Sequence, residues 1–89
     1  MYEIIICDSD SAFISYMKAM LLRAGIKAED AHFYSYDSGK ELVRALETQE
    51  RVDLLILDMQ IKDPNGDQAA KKFREQFPAA VFGFLRILK

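Results

Sequence analysis

Cysteine and histidine are almost missing from this 89-residue chain, which has one of each, Cys7 and His32. A single cysteine cannot close an internal disulfide, and one histidine beside it makes no zinc cluster, so disulfide scaffolds and zinc fingers are excluded. Basic residues are not in excess either. Twelve Lys and Arg against 14 Asp and Glu give a formal charge of −2, so the electrostatic footprint of a nucleic-acid binder is lacking and no direct nucleic-acid binding is expected. No apolar run approaches the roughly 18 to 20 residues of a membrane span, and Met1-Tyr2-Glu3 lacks the basic flank of a secretory signal. A cytoplasmic protein without a membrane partner is the expectation. With only 2 prolines and 4 glycines there is no Pro-rich or Gly/Ser-rich linker, and nothing repeats. What remains, 51% hydrophobic and 29% charged residues, is the balance of one small globular domain.

Element types alternate along the chain. Ile4-Ile5-Ile6-Cys7 is a β-branched run without polar alternation, as in a strand covered on both faces, and Asp8 ends it. From Ser11 to about Ala24, Phe13, Met17, Met20, Leu21 and Ala24 recur at helical spacing, with Asp10 placed to cap the start and Gly25 to end the helix in a left-handed turn. His32 to Tyr36 is β-prone but more polar and aromatic, like an edge strand. Ser38 followed by Glu41 is a capping-box signature, and Leu42, Val43 and Leu46 supply the apolar face of a second helix. Val52 to Leu57 is the strongest strand signal and is closed by Asp58. Asp63-Pro64-Asn65-Gly66 is turn chemistry, Ala69, Ala70 and Phe73 mark a third helix ending near Phe77-Pro78, and Ala80 to Leu85 predicts a fourth strand. The order βαβαβαβ predicts an α/β fold of the flavodoxin-like kind: a parallel sheet in the order 2-1-3-4 with helices on both faces.

In such a sheet ligands bind beyond the carboxyl ends of the strands where the order reverses, here between the first and third strands. Those strands end in Asp8 and Asp58. Neighbouring strands lie about 4.8 Å apart, so Asp8, Asp10 and Asp58 converge on one rim and repel each other unless a cation joins them. Hard oxygen ligands completed by water suit Mg²⁺, and a carboxylate beside such an ion can accept a phosphoryl group.

On these residues the chain resembles the receiver domain of two-component response regulators along its whole length. The opening Ile-Ile-Ile-Cys-Asp-Ser-Asp-Ser-Ala-Phe is most similar to receivers attached to LytTR-type DNA-binding domains. Val-Asp-Leu-Leu-Ile-Leu-Asp58-Met59-Gln60-Ile61, with Gly66 eight residues beyond Asp58, is the more specific motif. The resemblance implies that Asp58 accepts a phosphoryl group from a histidine kinase and that conformational output reaches a transcriptional effector domain. It makes Asp8, Asp58 and the backbone carbonyl of Gln60 ligands of Mg²⁺, with Asp10 a further candidate. It implies a signalling module and not an enzyme.

Three positions depart from the family pattern. Ser9 stands where a second acidic residue is usual, and a hydroxyl is a poorer Mg²⁺ ligand. Arg86 occupies the place of a Ser or Thr at the end of the fourth strand, and its guanidinium is able to pair with Asp58 and Asp8 in place of the metal. The family's lysine-bearing fifth strand and last helices have no counterpart, since Lys89 lies too early, so the receiver is expected to be incomplete at its C-terminus over residues 1–89. An uncovered, apolar Ala80 to Leu85 edge then predicts self-association, by pairing of two chains or exchange of elements.

Two further readings follow from the same residues. In one, the fold is kept without the chemistry, as a dimerisation or docking module independent of phosphorylation. In the other, Asp8-Ser9-Asp10 resembles the opening motif of haloacid-dehalogenase-type phosphatases, with Asp8 as nucleophile, although 89 residues lack that family's later lysine and acidic pair. For the remaining residues the plain reading holds: Asp10 chiefly an N-cap, Cys7, Met17, Met20 and the aromatics core material, His32 solvent-facing, and Lys71-Lys72 a solvated helix face.

Overall fold

The computed structural model describes residues 1–58 and 66–85. Its elements run β1 (Tyr2–Cys7), α1 (Ser11–Arg23), β2 (Ala31–Tyr36), α2 (Gly39–Thr48), β3 (Leu54–Asp58), α3 (Gly66–Gln76) and β4 (Val81–Leu85), with a short 3₁₀ turn at Ala28–Asp30. The strands form one sheet in the order β2-β1-β3-β4, and every pairing is parallel. The α/β fold expected from the alternation is the one observed. Gln60, Arg86, Lys89 and most of the Asp63-Pro64-Asn65-Gly66 turn lie outside the described residues, Gly66 alone being placed, as the start of α3.

Side chains of a strand alternate between faces, and that alternation divides the core in two. Ile5, Cys7, Leu55 and Leu57 point to one face, where they meet Leu42 and Leu46 of α2 and Ala69, Ala70 and Phe73 of α3. Ile4, Ile6 and Ile56 point to the other, where Ile14, Met17 and Leu21 of α1 pack with Ile26 and Phe33. Full burial of both sides of β1 and β3 explains their unbroken apolar sequences.

The helix ends are built locally. Asp10 Oδ1 accepts the N–H groups of Ala12 at 2.9 Å and Phe13 at 3.4 Å, Gly25 takes φ 117° just beyond α1, and Ser38 Oγ accepts the Glu41 N–H at 3.2 Å. Two sequence expectations need correction. The third strand begins at Leu54, because Asp53 turns aside to exchange bonds with β1: its N–H donates to the Glu3 carbonyl and its carboxylate accepts the Glu3 N–H, both at 2.8 Å. Met20, Tyr2 and Tyr16 are not core, being 45%, 53% and 57% exposed. Among the described residues a single helix covers that face, so only the Ile14, Met17, Leu21 stripe of α1 reaches the sheet and no α1 residue is fully buried.

Candidate functional site

The β1–β3 ladder pairs Ile4 with Leu54 and runs to Cys7 with Leu57. Asp8 and Asp58 are the next residue on each strand. Continuing the register sets them side by side at the carboxyl rim, and strand parity turns both toward the α1 face with Ile6 and Ile56. They are the two buried polar residues among those described, 1% and 5% exposed.

Asp8 is fixed by hydrogen bonds that the sequence does not reveal, and Asp58 by its register. The Asp8 N–H donates to the Tyr36 carbonyl at 3.0 Å, which extends the β1–β2 ladder one residue and ties the acidic position to the end of β2. Asp8 Oδ1 accepts the Asp10 N–H at 2.8 Å, closing a turn that delivers the chain into α1. Asp58 is held on its other side by β4, in register with Leu85.

Asp10 and Ser9 sit on the same turn but are exposed, and the Asp10 carboxylate is directed to the first turn of α1, not across the rim. Consistent with that, no group of three His, Cys, Asp or Glu side chains among the described residues is arranged to hold a metal. The two buried carboxylates nevertheless fit Mg²⁺, an ion commonly held by one or two carboxylates while water fills its remaining positions. Gln60 and Arg86, expected on the same rim, fall outside the described residues.

At the rim Tyr36 is half-buried against the α2 and α3 side of the core, and burial, with Tyr34 and Glu41 nearby, pushes its hydroxyl above the usual tyrosine range. His32 is exposed as expected but not solitary: its Nδ1 lies 3.2 Å from both carboxylate oxygens of Glu3, its register partner across the β1–β2 edge. Cys7 is fully buried, with Sγ 3.5 Å from the Ser38 carbonyl.

No protein-family model and no curated protein matches the sequence. In structure the chain is similar to the MaeR response regulator bound to beryllium trifluoride, with a TM-score of 0.75 and 21% sequence identity, covering 100% of this chain and 70% of that one. The parallel 2-1-3-4 sheet and this likeness define the receiver fold of response regulators.

Proposed function

We propose that the chain is the receiver module of a two-component response regulator, with Asp58 as phosphoacceptor. The observation that carries this reading is the pair of buried aspartates, Asp8 and Asp58, closing adjacent central strands at the topological switch point of the sheet. Burial sets a carboxylate in a fixed orientation at the one rim where this fold admits a ligand.

In the proposed step a carboxylate oxygen of Asp58 attacks the phosphorus of a phosphohistidine on the kinase. The P–O bond forms as the P–N bond breaks, and the departing imidazole keeps the electron pair and takes a proton from solvent. Asp8 and Asp58, with the Gln60 carbonyl, would hold Mg²⁺, which when bound neutralises charge on the phosphoryl oxygens. Asp10 contributes through its helix cap, and Ser9 adds no carboxylate, so the ion is held by fewer protein charges than a three-carboxylate rim offers. Phosphorylation would be read out by a transcriptional effector domain, of LytTR type by the resemblance of the opening segment, in the cytoplasm.

A second reading keeps the fold and drops the chemistry: a docking or dimerisation module that associates through residues 80–85. The commitment of the Asp10 carboxylate to α1 favours it, since that leaves two acidic groups at the rim. Incubation with acetyl phosphate, or with beryllofluoride and Mg²⁺, separates the two. A mass increase of one phosphoryl group and rim amide shifts in wild type, both lost in Asp58→Asn, support the receiver; an inert wild type that binds partners normally supports the docking module.

A further inference from the structure

β2 is the edge of the sheet that the fold itself leaves open. In the flavodoxin-like order 2-1-3-4-5 a further strand joins beyond β4, so the outer side of β2 ends the sheet with or without that strand. The Asp8 N–H donates to the Tyr36 carbonyl at 3.0 Å, so the N–H and C=O of Tyr36 face β1. Successive residues of a strand turn these groups to alternate sides. Tyr34 and His32 therefore also face β1, and Phe33 and Ser35 present their N–H and C=O outward, where no strand meets them among the described residues. The Ala31 N–H is already used, donating to the Ala28 carbonyl.

The strand carries none of the devices that protect an edge. Residues 31–36 contain no proline and no Asp, Glu, Lys or Arg, and the register runs without a bulge from Tyr2 opposite Ala31 to Cys7 opposite Tyr36. On the α1 side one charge stands beside each half of the strand. The Lys18 ammonium lies 5.1 Å from the centre of the Phe33 ring, and the exposed Asp37 follows Tyr36 with the parity of Phe33 and Ser35.

The geometry points to a second copy of this chain as the occupant of the β2 edge, paired antiparallel about a two-fold axis through Tyr34. That axis sets Phe33 opposite Ser35 of the second copy, and Ser35 opposite Phe33 of the second copy. These are the residues with outward groups, so both pairs are of the hydrogen-bonded type and exchange two bonds each. Tyr34 meets itself in the intervening non-hydrogen-bonded pair, where Cα atoms approach to about 4.5 Å. His32 meets Tyr36 of the second copy, so the α2 side carries an unbroken row of ring-on-ring pairs. On the α1 side the small Ser35 of the second copy comes to a groove of about 360 Å³ lined by Lys18, Leu22 and Phe33. Asp37 of the second copy is the diagonal neighbour of Phe33, within reach of the Lys18 chain above that ring. The symmetry makes this charge pair twice, and it selects a second copy over an arbitrary extended peptide.

Other registers fail on the same groups. A shift by one residue sets outward groups against inward ones. An axis at Phe33 pairs Ser35 with Ala31, whose N–H is taken, and an axis at Ser35 needs Asp37, which lies beyond the end of the strand. The contact is isologous and therefore closes at the dimer.

This interface is separate from residues 80–85 and independent of phosphotransfer. Light scattering across the micromolar range, charge exchange and oxidative cross-linking test it. Wild type is expected to approach twice the monomer mass. Ser35→Pro, which removes an outward N–H from an exposed residue and leaves the β1 ladder intact, is expected to stay monomeric with an unchanged circular dichroism spectrum. Lys18→Glu and Asp37→Lys should each raise the dimer dissociation constant about tenfold, and the double variant should restore it. Tyr34→Cys is expected to form at least about tenfold more disulfide dimer than His32→Cys, because position 34 meets its own copy while the two positions 32 lie roughly 14 Å apart along the strands. The native Cys7 is buried and stays out of this reaction. Should Ser35→Pro misfold, the charge and cysteine series decide alone. A monomeric wild type, a folded Ser35→Pro dimer, equal cross-linking at positions 32 and 34, or no rescue in the double charge variant overturns the proposal. Asp58→Asn is expected to dimerise as wild type does, so a failed phosphorylation assay leaves this result standing.

Discussion

Asp8 accepts the N–H of Asp10 at 2.8 Å, and Asp10 accepts the N–H of Ala12 at 2.9 Å, so the buried acidic rim and the first helix are joined by one chain of hydrogen bonds. A change in charge at Asp8 is thereby coupled to the entry of α1, which packs on the same face of the sheet to which both rim aspartates belong.

The two roles weighed for Asp10 are separable. Asp10→Ala removes the cap and should cost about 1 kcal/mol, whereas Asp10→Ser keeps an acceptor oxygen and should cost a few tenths at most. With Asp10 acting as cap alone, the Mg²⁺ titration midpoint of Asp10→Ser matches wild type. A midpoint moved tenfold would instead make Asp10 a ligand.

Mg²⁺ binding to the folded state should raise the thermal midpoint, by the equivalent of about 1.4 kcal/mol at ten times the dissociation constant. Asp8→Asn and Asp58→Asn should each abolish the rise, and chelation should reverse it in wild type. Scanning calorimetry with and without the ion measures this, and NaCl at matched ionic strength serves as the control for general screening.

Acid sensitivity should localise to the amino-terminal ends of the strands. The Glu3 N–H and the Arg51 guanidinium hold the Asp53 carboxyl below the usual carboxylate range, with its oxygens at 2.8 Å and 3.0 Å from those donors. A depressed folded pKa means that the carboxylate stabilises the fold above the unfolded value near 4, and that this contribution is lost as pH falls through the lower, folded value. Asp53→Asn should lower stability at neutral pH and flatten that acid limb in urea titrations taken between pH 5 and 2.

At the other extreme, the raised Tyr36 hydroxyl keeps its proton in the folded state at pH values where the unfolded chain has lost it. Stability is fully present below the usual tyrosine value near 10 and declines as pH rises through the folded value. Tyr36→Phe should remove this part of the alkaline decline, which denaturation at pH 9 and 11 would show.

Phe73 is the large side chain that joins α3 to the sheet, 1% exposed, with its ring tilted against that of Phe77 at a centroid distance of 5.6 Å. Phe73→Ala should cost about 3 to 5 kcal/mol, enough to unfold a domain of this size near physiological temperature.

Particular residues show why some of this was legible beforehand and some was not. Asp10 and Ser38 announce helix starts because a cap acts within three residues, and Gly25 announces a stop for the same local reason. Ile4 to Cys7 and Leu55 to Leu57 announce central strands because burial on two faces leaves no polar alternation. Asp53 reads as part of the third strand because its partner, the Glu3 amide, lies 50 residues away, and Met20 reads as core because helical spacing gives the apolar stripe but not how much of it a neighbour covers.

The sequence by itself therefore determined the order of elements, the helix caps and the candidacy of Asp8 and Asp58, since all of these depend on residue type and on contacts within a few positions. Tertiary structure alone decided that the two aspartates share one face, that the Tyr36 carbonyl and the Asp10 N–H hold Asp8 in place, and which amides of β2 look outward. Those properties follow from strand register, which is set by packing between segments tens of residues apart.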